Sequence, residues 1–150
     1  MTTNTNNREP KILVLATLSG GYRGADAVGQ GHHEYPPNVY ILPVMSAAIF
    51  PPSFYLDAFD RGIDGIIVMF SGSDSPYKGV PERTSALVNQ TYEIMKERKL
   101  NPRRLKLAAI CTVCVHPFLR EIEAMNDLLD KIGLIPETIP PAPEAQPLAA

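Results

Sequence analysis

The sequence predicts an α/β fold, a flavodoxin-like three-layer sandwich built on a four-stranded, mainly parallel sheet. Three observations carry this expectation. Four apolar, β-branched stretches alternate along the chain with segments of helical periodicity. Those stretches are near-continuous in hydrophobicity, without strict alternation, which suits strands covered on both faces. Right-handed crossovers then put helices on both sides of the sheet, with an expected strand order of 2-1-3-4.

Residues 11–18 (KILVLATL), 38–45 (NVYILPVM), 64–70 (DGIIVMF) and 105–111 (LKLAAIC) read as the strands. After the first strand, Gly24, Gly29 and Gly31 erode helix propensity, so at most a short helix is expected between residues 24 and 35. After the second, Pro51 and Pro52 precede a Ser53 cap, and Gly62 marks the stop. Residues 81–99 place Val88, Tyr92 and Met95 on one face, with Lys96, Arg98 and Lys99 complementing the dipole of the last turn. Residues 117–132 form the clearest helix, with Phe118, Ile122, Met125, Leu129 and Ile132 in one stripe ended by Gly133. The expected core is Ile12, Val14, Val39, Ile41, Ile66, Val68, Leu107 and Ala109, covered on one side by Phe118, Ile122, Met125 and Leu129. Residues 1–9 read as a flexible N-terminus and 10–135 as the domain. Residues 136–150 form a tail with five prolines that has little to bury and should be extended, disordered or laid along a partner.

The 150 residues fit one domain, and a net charge of −2 without a Lys/Arg cluster argues against a nucleic-acid footprint. The apolar runs are too short to span a membrane, and the Thr/Asn-rich start is neither signal peptide nor anchor. With two cysteines there is no disulfide framework, and a cytoplasmic location is the default.

Ligands of open α/β sheets collect outside the carboxyl ends of the strands. The loops there hold Ser19, Gly20, Gly21, Tyr22 and Arg23; Ser46; Ser71 to Lys78; and Cys111 with Cys114. Two of them are rich in Ser and Gly and hold one cation each, Arg23 or Lys78, a pattern able to cradle phosphate through backbone N–H groups. Neither fits a P-loop or a GxGxxG fingerprint, and Gly and Ser are also plain turn formers. Cys111 and Cys114 form a CxxC motif followed by His116, readable as a thiol or metal pair or as small core residues. One chain with two thiols and three histidines is poor in ligands for a metal site. Adjacent His32 and His33 point in different directions and suit a solvated turn. No catalytic triad or carboxylate pair follows from spacing, so no catalytic residue is assigned.

Several local patterns, in order, carry a family resemblance. These are Tyr22-Arg23-Gly24-Ala25-Asp26 after the first strand, Tyr35-Pro36-Pro37-Asn38-Val39, Val44-Met45, and Phe54 through Ala58-Phe59 with Gly62-Ile63-Asp64-Gly65. Glu82-Arg83 and Leu100-Asn101-Pro102-Arg103-Arg104-Leu105 follow. Over residues 11–135 the chain resembles the delta subunit of methyl-viologen-reducing hydrogenase, the FlpD family. That resemblance implies a small subunit carrying electrons between a hydrogenase or formate dehydrogenase and a heterodisulfide-reductase-like flavoprotein. It also implies a 2Fe-2S cluster held by cysteines on the first three strand-end loops. Here the corresponding positions are Ala16, Thr17 and Gly20, then Ser46, then Ser71 and Pro76. None is a thiolate. The expectation is therefore an accessory subunit without its own cluster, in a hetero-oligomer with large subunits that carry FAD and iron–sulfur clusters. Tyr22, Arg23, Phe50, Tyr77 and Lys78 are the expected docking residues, since aromatic and Arg side chains anchor interfaces. An independent phosphate- or flavin-binding or thiol-redox enzyme, using the Ser/Gly loops or Cys111 and Cys114, is the alternative.

Overall fold

A computed structural model describes residues 8–72, 75–111 and 114–136. The four apolar stretches form β1 (Ile12–Thr17), β2 (Val39–Val44), β3 (Gly65–Phe70) and β4 (Leu105–Ala109). All pair in parallel, in the order β2-β1-β3-β4, which is the order expected from the crossover rule. The connecting helices are α1 (Gly21–Gln30), α2 (Pro52–Asp60), α3 (Val80–Glu97) and α4 (Val115–Ile132).

Two apolar cores sandwich the sheet. On one face, Ile12, Val14, Ile67 and Met69 pack with Val28 of α1 and with Phe118, Ile122, Met125 and Leu129 of α4. On the other, Leu15, Ile66 and Val68 pack with Tyr55, Leu56 and Phe59 of α2 and Val88 and Met95 of α3. The expected stripes on α3 and α4 are the buried faces of those helices.

α1 departs from expectation, starting three residues earlier and running for ten. Its glycines explain this: a Cβ at Gly21 would collide with Met69, and one at Gly24 would come within 3.3 Å of Ile110. The helix thus lies close on the sheet, and close packing outweighs the weak propensity. In α2, Pro51 is the cap and Pro52 the first helical residue, so the expected Ser53 cap is displaced by the proline pair. Gly62, at φ +92°, ends that helix in a conformation other residues rarely adopt. α4 begins two residues early, because Pro117 in its first turn forfeits no intrahelical hydrogen bond.

The core needs three corrections. Ile41 and Leu107 are only partly buried, because β2 and β4 are the sheet's edges. Ala109 is exposed at the carboxyl edge, beside Gly72, while Ala108 and Ile110 fill the core in its place.

At the amino edge a polar clasp closes the sandwich. The fully buried Asp64 accepts bonds from both terminal guanidinium nitrogens of Arg8 (2.6 and 3.1 Å), from Lys11 N (2.8 Å) and from Ile135 N (2.7 Å). Arg8, within the expected flexible N-terminus, is held there. Arg104 donates to the Asp64 carbonyl (3.1 Å) and to Gly133 O (2.8 Å). Burial lowers the Arg104 pKa from its ordinary value, and Asp64 opposes that shift.

Asp64→Ala takes the carboxylate away from the Arg8 guanidinium and from the N–H groups of Lys11 and Ile135 and should cost about 3–5 kcal/mol in chemical denaturation. A midpoint unmoved from wild type would refute the clasp. Tyr55 offers a pH test. Burial, with Tyr92 adding, pushes its pKa up to about 12, and among the described residues its hydroxyl has no hydrogen-bond partner. The folded pKa exceeds the unfolded value, so this contribution is intact below pH 10 and is lost as pH rises toward 12. Tyr55→Phe should therefore be neutral or stabilising by about 1 kcal/mol at pH 7 and should lose less stability between pH 10 and 12.

Candidate functional site

β1 and β3 are central, so the loops leaving their carboxyl ends face each other, flanked by those of β2 and β4. The first loop is tight: Gly20 N donates to Thr17 O at 3.0 Å. Ser19 Oγ meets Ser71 Oγ across the gap at 3.2 Å. Ser46 Oγ accepts from Ala48 N (3.2 Å) and caps the 3-10 turn Ala47–Ile49. Where the three loops converge, Thr17, Ser19, Met45, Ser46, Phe70 and Ser71 line a cavity of only about 10 Å³.

The cluster implied by the resemblance does not fit these residues. Ala16 is buried in the sheet core, and Pro76 is exposed on the third loop. The Ser46 hydroxyl is engaged with backbone and the Ser71 hydroxyl with Ser19. Gly20 admits no side chain at all: its Cβ would lie 2.6 Å from Ser71 N and 2.8 Å from the Phe70 carbonyl carbon. The loops have closed on each other where a thiolate would project, and among the described residues Ser19, Ser46 and Ser71 already hold hydrogen bonds there.

Beside this closed centre lies an open groove of about 970 Å³, lined by Phe70, Gly72, Tyr77, Lys78, Glu82 and Asn89 among others. Tyr77 and Lys78 thus share one surface, at the start of α3. Arg23 sits on the exposed side of α1 and lines neither cavity, so the two loop cations are not gathered into one phosphate cradle. Ser73 and Asp74 lie outside the described residues. Tyr22 is 40% exposed and Tyr77 48%. Phe50 is half-buried, its ring tilted 37° against that of Phe54 with centroids 4.4 Å apart.

Sequence reasoning missed two residues on this edge. Met45 and Ile49 are 60% and 66% exposed. The stretch holding Met45 reads as a strand covered on both faces, but β2 is an edge whose Tyr40 and Leu42 are also exposed. The signal was Pro43, because proline within a sheet is confined to edges.

Cys111 is exposed at the end of β4, Cys114 is the N-cap of α4, and the two are joined as a disulfide with Cα atoms 5.3 Å apart. Thr112 and Val113 lie outside the described residues. The rings of His33 and His116 stand 6.2 Å apart. Among the described residues no group of three or more His, Cys, Asp or Glu is placed to hold a metal ion. None of the described helices is long and apolar enough to cross a membrane.

Comparison with known proteins agrees with the fold and sharpens its context. The family model described as methyl-viologen-reducing hydrogenase, delta subunit, matches residues 12–133. The iron-sulfur subunit of the vhc F420-non-reducing hydrogenase of Methanococcus voltae is 31% identical over 133 residues, 84% of this chain and 86% of that protein. The F420-non-reducing hydrogenase iron-sulfur subunit of Archaeoglobus profundus is 28% identical over 100 residues, 66% of this chain and 73% of that protein. A subunit of the ferredoxin:CoB-CoM heterodisulfide reductase of Methanosarcina mazei is 30% identical over 127 residues. That match covers 84% of this chain but 16% of the reductase subunit.

The closed first loop is testable. Gly20→Ala drives a methyl group into the Ser71 backbone and should cost about 1–3 kcal/mol by overpacking. An unchanged denaturation midpoint would mean that the loops stand further apart than described.

Proposed function

The chain belongs to the methyl-viologen-reducing hydrogenase delta-subunit family, and on that footing we propose that it is an accessory subunit of a multi-subunit electron-transfer complex. In this reading it docks onto a flavin- and iron–sulfur-bearing partner of the heterodisulfide-reductase kind and carries no cluster of its own. FAD and iron–sulfur clusters then reside in the partners, and the assembly is cytoplasmic.

The observation that carries the reading is the pairing of a family match along the whole domain with a centre closed by serine, threonine and glycine. The scaffold is kept, while every position implied for cluster binding lacks a thiolate and Gly20 lacks room for one. The match to 16% of a heterodisulfide reductase subunit supports the choice of partner, because there a domain of this kind is part of the same chain.

The docking surface proposed is the carboxyl edge of the sheet. Tyr22, Arg23, Tyr77 and Lys78, with the open edge of the Phe50 ring, are its anchors, and Met45 and Ile49 extend its apolar area. Aromatic and Arg side chains dominate interface energetics when desolvated. The tail beyond Pro136 lies outside the described residues. Its prolines restrict the free chain, so laying it along a neighbour costs little ordering entropy.

Co-expression with the hydrogenase and reductase subunits checks this directly. Tyr22→Ala combined with Arg23→Ala, or Tyr77→Ala, should weaken co-purification roughly tenfold or more while the isolated domain stays folded. Truncation after Ile135 should weaken it as well. The purified chain should carry no stoichiometric iron. A 2Fe-2S spectrum from it, or a free monomer in native extract with no large redox protein attached, would end the reading.

A further inference from the structure

The Cys111–Cys114 pair lies outside every position implied for the cluster, and neither closed centre nor groove accounts for it. We propose that it is a redox-active disulfide that exchanges two electrons with a dithiol carrier. The proposal stands on the pair itself and does not depend on which complex the chain serves.

The two sulfurs are placed unequally. Cys111 is exposed at the carboxyl edge of the sheet, whereas Cys114 is half-buried and occupies the N-cap of α4. Among the described residues no side chain caps the first turn of that helix, which is fixed to the sheet by Phe118, Ile122, Met125 and Leu129. Uncapped N–H groups at a helix start favour negative charge, so Cys114 is the better leaving group and Cys111 the accessible point of attack.

A structural role accounts for the bond poorly. A disulfide stabilises mainly by closing a loop in the unfolded chain, and this one encloses only two residues. A metal site is not favoured, since no third ligand joins the pair among the described residues.

The exchange balances as follows. A carrier thiolate attacks Cys111 Sγ, forming a mixed disulfide, and the S–S bond breaks with its electron pair leaving on Cys114. The carrier's second thiolate then attacks the carrier sulfur of the mixed disulfide and releases the Cys111 thiolate. The carrier ends as a disulfide, its two protons going to Cys111 and Cys114. Two electrons have passed to the pair.

The test uses the full chain and needs no cysteine variant of it. The protein is equilibrated in graded dithiol/disulfide buffers, and the reduced fraction is read by alkylation and intact mass. The expected result is reversible two-electron titration, half-reduced at a poise between those of thioredoxin and protein disulfide isomerase. A thioredoxin variant lacking its second active-site cysteine should trap a mixed disulfide on Cys111 in at least tenfold excess over Cys114, mapped by peptide mass. A pair that stays oxidised at the thioredoxin poise is structural and overturns the proposal, as does an adduct chiefly on Cys114. Reduced protein that takes up one zinc ion per chain and then resists reoxidation overturns it in favour of a metal site.

Discussion

The carboxylate of Asp64 sits wholly out of solvent at the start of β3, where an isolated charge would be untenable. Its oxygens are met by two guanidinium nitrogens of Arg8 and by the backbone N–H groups of Lys11 and Ile135. These bonds join the lead into β1, the start of β3 and the chain leaving α4. Arg104 completes the arrangement by linking the Asp64 carbonyl to the end of α4. A pair buried this deeply contributes little net energy compared with apolar packing, but breaking it is costly, so its effect is to fix geometry. With both ends of the domain fastened at the amino edge, the opposite edge is left to the four loops.

At that opposite edge the fold depends on close approach. Gly20 rests against the Ser71 backbone and Gly21 against Met69, so the first loop and the start of α1 lie directly on β3. The same contact that lets α1 form from a glycine-rich segment also fills the space in which the family's cluster is implied to sit. Helix placement and the tightness of the loop centre are thus two consequences of one packing choice. The hydroxyls of Ser19 and Ser71 meet across two of these loops, and that of Ser46 caps its own turn.

The strands were readable because a doubly covered parallel strand has to be apolar throughout, and a run such as GIIVMF has few other uses. The helical stripes of α3 and α4 were readable for the equivalent reason at a period of 3.6. α1 was not, because its glycines act through Met69 and Ile110, residues remote in sequence. Asp64 stands at the head of the apolar run GIIVMF. Its partners Arg8 and Ile135 lie 56 and 71 positions away, beyond any local pattern. The loops could be located from the strand-end rule, and the missing thiolates could be seen position by position. That the loops had closed, and that Met45 and Ile49 face solvent there, required the packing itself.

The exposed flank of β2 decides what kind of contact this edge can make. Asn38 O accepts from Ile12 N and Val44 O from Leu18 N, so the even-numbered residues of β2 turn their backbone groups toward β1. Pro43 therefore points its missing donor outward, at the free side of the strand. An added strand would find a gap in the ladder at that point, which blunts edge-to-edge pairing of copies or of partners. What remains available is side chain: Tyr40 and Leu42 along the strand, then Met45 and Ile49 where it ends. An apolar surface that cannot be extended by backbone pairing favours a partner with its own folded, complementary face over an unstructured segment adding as a strand. The amino edge is thus closed by the bonds around Asp64, and the free side of β2 is closed to an added strand by Pro43.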